Sequence, residues 1–251
     1  MQNIISSQAA EVSTEFVQSK RKGRENNVAW LERHLGQLTD SREEEGLTYL
    51  VLLGGRARTH FRLRVAQSHL RHDFTPSHWS HVMLLGKSGY FADRKNPVAE
   101  ISLEPKAGFG FPAETNGRQK SDLSLYKSRY NFPNVGVLEL PIQVEAVAEA
   151  LERFEKQRAA LDAVELLVLW LGYLWGVSDR NPLVEGYGIP GAGMIETVAG
   201  AAGYDLTPGL ESRASCPEAM WQAARWWHGY YREERGRAPR GFWHMEHFLG
   251  K

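Results

Sequence analysis

Segments typical of strands and segments typical of helices occupy separate parts of this chain, and that separation constrains the fold most. Four short apolar runs bounded by glycine, proline or asparagine predict strands. These runs are 47–55, 79–86, 97–105 and 134–142. Residues 144–234 carry apolar residues at helical spacing instead. Such segregation is typical of the α+β class, so we expect an antiparallel sheet packed against helices.

The helical pattern and the polar ends of the chain predict its domain organisation. Apolar spacing predicts helices at 28–38, 61–71, 144–160, 162–176 and 194–202, and a last one from Cys216 to about Glu234. Residues 1–28 are polar and predict a solvated N-terminal arm. We find no internal repeat and no linker, so residues 29–251 are expected to form a single domain with a helical insert at about 143–205.

Charge and cysteine content exclude several classes of protein. Thirty basic and thirty acidic residues cancel, which argues against nucleic acid or an anionic membrane as a partner. One cysteine cannot form an internal disulfide. The longest apolar run, 166–177, is too short to cross a bilayer and predicts a buried helix. The N-terminus lacks a secretory signal, so we expect a cytoplasmic protein whose oligomeric state the sequence does not determine.

The single cysteine, Cys216, lies at the predicted start of an amphipathic helix. Ser215 and Glu218 have the spacing of a capping box, which predicts Ser215 as the N-cap and Pro217 in the first turn. The positive end of a helix favours thiolate over thiol, so the cysteine is a candidate nucleophile of lowered pKa. The alternative interpretation is a small buried hydrophobic residue, a common role of a free cysteine.

A cysteine nucleophile needs a base, and the best-placed histidine is His81. It begins the apolar run "HVMLLG", so a rigid strand would direct its ring. The following predicted strand should be the antiparallel neighbour, and Glu100 and Glu104 lie on one face of it. Either carboxylate could fix the tautomer of the imidazole. The alternative interpretation is a half-buried histidine that is hydrogen-bonded to backbone.

This order of residues resembles the circularly permuted papain-like hydrolases, a branch of the NlpC-type amidase superfamily that includes relatives of lecithin:retinol acyltransferase. The similar segments are "SHVMLLG" at 80–86, "SLEPKAGFGF" at 102–111 and "SCPEAMWQAA" at 215–224. The resemblance implies a permuted papain-like fold with a C-terminal helix that carries the cysteine. It also implies a catalytic triad of Cys216, His81 and Glu104, with Glu100 as the alternative carboxylate.

The function implied by the resemblance is a cysteine-dependent hydrolase of the thiol protease or amidase type. Its thiolate would attack a peptide or isopeptide carbonyl, form a thioacyl intermediate and release it to water. An acyltransferase or thioesterase would use the same triad, with a peptide or acyl group as substrate. A non-catalytic binding module on the same fold is the alternative from another class.

Two further motifs bear on cofactors and metals. "GYGIPG" at 186–191 matches G-x-G-x-x-G, but no predicted strand precedes it, so we expect no dinucleotide and no other cofactor. A histidine-rich stretch and "HMEH" at 244–247 raise a metal-binding alternative. The histidines of that stretch are His69, His72, His78 and His81. Their spacing matches no known metal motif, so we expect no metal.

Overall fold

A computed structural model describes residues 16–40, 46–85, 97–104, 110–231 and 238–246. Within these residues the chain forms seven strands and six α-helices. The strands are β1 (Phe16–Gln18), β2 (Leu47–Gly54), β3 (His81–Leu85), β4 (Pro97–Glu100), β5 (Gln119–Asp122), β6 (Asn134–Gln143) and β7 (Arg240–His244). The helices are α1 (Asn27–Asp40), α2 (Arg58–Ala66), α3 (Val144–Lys156), α4 (Ala163–Trp175), α5 (Pro190–Ala201) and α6 (Pro217–Tyr230).

All seven strands form one sheet in the order β1-β7-β6-β2-β3-β4-β5. The pairs are antiparallel except β1 with β7. The α+β class predicted from the sequence is therefore confirmed, and so is the antiparallel pairing of the His81 strand with the strand that follows it. No helix in the described part of the chain is long and apolar enough to span a bilayer.

Alternating side chains of the central strands build a hydrophobic core on each face of the sheet. The first core cluster contains Leu50 and Leu52 of β2 and packs them against α2, α3, α4, α5 and α6. The second core cluster contains Val51 and Leu53 of the same strand and packs them against α1. Five of the six α-helices thus cover one face, and α1 covers the other.

Three strands and one strand end differ from the sequence prediction. β1 lies inside the predicted N-terminal arm and pairs with β7, so residues 16–18 belong to the sheet. The polar strand β5 and the strand β7 both lie outside the four segments predicted as strands. β4 ends at Glu100 instead of continuing to 105. Glu104 therefore lies outside the strand, in a bend.

Candidate functional site

Helix α6 begins one residue later than the capping box predicts. Cys216 is the N-cap, with extended backbone angles of φ −150° and ψ 163°, and Pro217 is the first helical residue. The prediction of Ser215 as N-cap is therefore wrong. Glu218 does not complete a capping box because its carboxylate accepts hydrogen bonds from elsewhere: Ser77 Oγ at 2.6 Å and Gln222 Nε2 at 2.9 Å.

The Cys216 thiol is fully buried in the first core cluster. Burial raises its pKa to about 12, although the backbone amides of Ala219 and Glu218 act in the opposite direction. The predicted lowering of the thiol pKa is therefore wrong for this conformation. Desolvation of the thiolate outweighs the favourable end of the helix dipole, because the charged form would have no contact with water.

Close backbone packing fixes the segment that leads into Cys216. Gly188 N donates to Arg213 O at 2.6 Å and Ile189 N donates to Ser215 O at 2.9 Å. A Cβ on Gly188 would lie 2.2 Å from Ser215 O, so only glycine fits there. The glycine-rich motif at 186–191 thus has a structural reason, which is the close approach of two chain segments beside the cysteine.

His81 is held by a buried carboxylate, that of Glu100. Its Nε2 lies 2.5 Å from Glu100 Oε2, and both side chains are almost fully buried. The hydroxyls of Tyr126 and Ser121 donate to the same carboxylate, and Tyr126 Oη lies 3.1 Å from His81 Nε2. Burial and the nearby Glu100 charge hold the pKa of Tyr126 well above its usual value, so this phenol remains a donor.

Glu104, the carboxylate that the resemblance implies, faces a different histidine. Its Oε2 lies 3.1 Å from His60 Nε2. The prediction assumed that period-two alternation continues to residue 104, but β4 ends at Glu100 and the alternation ends with it. In this structure the alternative carboxylate, Glu100, therefore takes the place beside His81 that we predicted for Glu104.

His60 is a buried site residue that the sequence interpretation missed. Its other ring nitrogen, Nδ1, lies 3.0 Å from Ser80 Oγ, so the ring lies between a hydroxyl and a carboxylate. A Cβ on Gly55 would lie 2.4 Å from the His60 ring, and glycine is therefore required where β2 leads into α2. The glycine pair "GG" at 54–55 was the one sequence signal of a side chain packed closely against this turn.

Gln67 connects the start of α6 to the residues just before His81. Its Nε2 donates to Trp79 O at 2.9 Å, and its Oε1 accepts from Glu218 N at 2.8 Å. Cys216 and His81 are therefore both connected to one end of β3. The two side chains occupy different faces, however, because the His81 ring stacks on Tyr126 of the second core cluster, with centroids 5.4 Å apart.

The remaining histidines do not assemble a metal centre in the described residues. His69 Nδ1 lies 3.1 Å from the Ala66 carbonyl, and His72 is exposed. Across the ranges that the structure describes, no group of three or more His, Cys, Asp or Glu side chains has the geometry of a metal site. His247 of "HMEH" lies outside the described residues.

Comparisons with known proteins do not assign this chain to a family. No protein-family model matches it, and no curated protein or solved structure matches it significantly.

Proposed function

We propose that this chain is a cysteine-dependent hydrolase with Cys216 as nucleophile, His81 as base and Glu100 as the residue that orients the base. The observation that carries the proposal is the buried His81–Glu100 pair, whose nitrogen and oxygen are 2.5 Å apart. A carboxylate that accepts from an imidazole and from two hydroxyls fixes both the tautomer and the orientation of the ring. This is the arrangement that a catalytic base requires.

The order of the three residues along the chain adds to the support. A histidine that begins a strand, a glutamate on the next strand and a cysteine at a downstream helix start are the pattern of the permuted papain-like hydrolases. Glu100 satisfies this pattern in the structure, because it lies on β4, which pairs with the His81 strand. Glu104 is the carboxylate partner of His60 in this arrangement.

The proposed reaction is acyl transfer through the thiol. His81 Nδ1 takes the proton of Cys216, because Nε2 is engaged by Glu100. The sulfur then attacks the carbonyl carbon of a peptide or isopeptide amide, and backbone N–H groups in the first turn of α6 stabilise the oxyanion. The amine leaves with the proton held by His81, and a thioester remains on Cys216. Water, or another acyl acceptor in a transferase, releases the acyl group.

The described conformation is the resting state in this proposal. Its thiol is neutral and buried and lies on the opposite face of the sheet from the His81 ring, so turnover requires an opening at both the N-terminus of α6 and the start of β3 that lets thiol, imidazole and substrate meet. The opening has a specific set of contacts to break, namely those of Glu218 with Gln67 and Ser77. Segments that open in this way are drawn from the less stable parts of a fold.

A simple activated ester tests the proposal without knowledge of the natural substrate. Incubation with p-nitrophenyl acetate should release p-nitrophenolate and leave one acetyl group on Cys216. Mass spectrometry of the intact chain and of the peptide that contains residue 216 measures this acetylation. Cys216→Ala, which removes the nucleophile and retains the helix start, should carry no acetyl group at that position.

The outcomes separate the two classes of function. Acetylation of Cys216 that depends on His81 supports the hydrolase. Equal acetylation of the wild type and His81→Ala would mean that the thiol reacts without a base, and the proposal would fail. No acetylation at all would favour a non-catalytic binding module, the interpretation with which the burial of Cys216 agrees.

A further inference from the structure

Helix α4 has a solvent-exposed face that is formed mainly by apolar side chains. The chain has no charged residue between Glu165 and Asp179, so the helix is hydrophobic on every side after its first turn. Its inner face belongs to the first core cluster, but Val168 is 66% exposed and Trp175 is 67% exposed, with Leu169 partly exposed between them. Helices that are apolar all round are normally buried, and a contiguous exposed apolar face marks an interaction surface.

Gly172 lies in the middle of this face, and packing inside the chain does not require it. A Cβ at position 172 would meet no atom within 4 Å outside its own helix and its chain neighbours. Glycine in a helix costs stability relative to alanine, and here no internal contact explains that cost. A glycine on an exposed apolar helix face allows the backbone of a second helix to approach closely.

Two charged side chains without an ion-pair partner among the described residues lie at opposite ends of the same face. Glu165 is in the first turn of α4, and Arg62 lies against the last turns, with its guanidinium carbon 4.7 Å from the Tyr173 ring centroid. Neither side chain forms a salt bridge to another residue that the structure describes. An antiparallel copy of α4 would bring each Glu165 towards the Arg62 of the other chain.

From these three features we propose that the face formed by Glu165, Val168, Leu169, Gly172 and Trp175, which we name the α4 face, is the interface between two copies of this chain. The two helices cross antiparallel on a two-fold axis near Gly172. Such an interface is isologous, so every contact occurs twice. The opposite charges at the two ends of the face favour a second copy as the occupant, because an antiparallel copy presents an opposite charge to Glu165 and to Arg62 at fixed positions.

The residue order makes the α4 face complementary to itself. In an antiparallel pair centred on Gly172, position i lies across from position 344 − i, by the regular rise of a helix. Leu169 of one chain then faces Trp175 of the other, and Val168 faces Gly176. Each larger side chain is thus matched with a smaller group, and the exposed indole is covered.

Sedimentation equilibrium between about 1 and 100 µM, the range of moderate dimer affinities, tests this proposal. The wild type should dimerise, and Gly172→Leu should weaken the dimer at least ten-fold without lowering the thermal midpoint of the monomer. A weaker dimer together with an unchanged or more stable monomer is the result expected when a glycine serves an interface. The control is Gly36→Leu, an exposed mid-helix glycine of α1 that also has open space around it. This control should leave the dimer unchanged.

A charge exchange tests the orientation. Glu165→Arg and Arg62→Glu should each weaken the dimer, and the double variant should restore it, because it recreates both pairs with reversed sign. A chain that stays monomeric over the whole range overturns the proposal. So does a monomer that co-sediments with phosphatidylcholine vesicles, because the α4 face would then be a lipid contact. If neither Gly172→Leu nor the charge variants weaken the dimer, the interface lies elsewhere and the proposal is wrong.

Discussion

At the scale of single residues, the position at which β4 ends determines which glutamate, Glu100 or Glu104, lies beside His81. Alternation along 97–105 puts Glu100 and Glu104 on one face, and the sequence alone could not choose between them. The structure stops β4 at Glu100, and Glu104 then turns to His60. Whether four more residues remain in a strand depends on contacts with residues far along the chain, which no local pattern contains.

Substitution of each glutamate distinguishes their roles. Glu100→Gln should lower the acetylation rate of Cys216 by p-nitrophenyl acetate about 100-fold, because the amide no longer fixes the imidazole tautomer. Glu104→Gln should change the rate less than about three-fold, since its partner is His60 and not the proposed base. The measurement is the initial rate of acetylation at neutral pH. A larger loss of acetylation rate from Glu104→Gln than from Glu100→Gln would mean that Glu104, and not Glu100, orients the base.

The raised pKa of Cys216 predicts a dependence of stability on pH. The folded thiol ionises near pH 12, whereas an unfolded thiol ionises near its ordinary value of about 9. The stabilisation from the neutral thiol is complete below about pH 9 and is lost as the pH rises towards 12, by about 1.4 kcal/mol per pH unit. The free energy of unfolding of the wild type relative to Cys216→Ala, measured by urea denaturation, should therefore fall above about pH 9. A constant difference from pH 8 to 10.5 would mean that the thiol is not buried.

At the scale of elements, strongly periodic segments were predictable and short edge strands were not. The helical period located α1, α3, α4 and α6, and apolar runs located β2, β3 and β6. β1 has three residues, and β5 reads "QKSD", so neither has an apolar pattern to detect.

Strand β7 shows how a contact distant in sequence can contribute to a short strand. Arg240 at its start forms a buried ion pair with Glu139 of β6, at 2.8 Å. The two residues are 101 positions apart, and that separation explains why the sequence pattern did not reveal the pairing.

The turn from β2 into α2 gives a prediction at this scale. Gly55→Ala should destabilise the fold by about 2 kcal/mol or more, because the added methyl would overlap the buried His60 ring. Gly229→Ala in α6 is the control, since open space surrounds that position and alanine favours helix. Urea denaturation measures both changes. Equal effects of the two variants would show that His60 does not pack closely on the turn.

At the scale of the whole molecule, one sheet separates two chemical environments. The first core cluster contains residues of α2 to α6 and the Cys216 thiol, and the second contains residues of α1 and the Tyr126 ring on which His81 stacks. The sequence predicted the elements that carry Cys216 and His81, and it named Glu100 as an alternative carboxylate. It did not predict on which face of the sheet the side chains of Cys216 and His81 lie, or that the Cys216 thiol is buried. Both depend on how the finished sheet is covered by helices.

The most direct test of the account is whether the reactivity of Cys216 depends on His81. The measurement is the rate of alkylation by iodoacetamide at pH 7 and pH 10 for the wild type and His81→Ala. A change in the opening equilibrium alters both rates by the same factor, so the comparison between the two pH values isolates the role of the imidazole. The account predicts slow alkylation throughout, a variant at least ten-fold slower at pH 7, and equal rates at pH 10, where an opened thiol ionises unaided. The same ratio of rates at both pH values would contradict the account, because His81 would then have no part in activating the thiol.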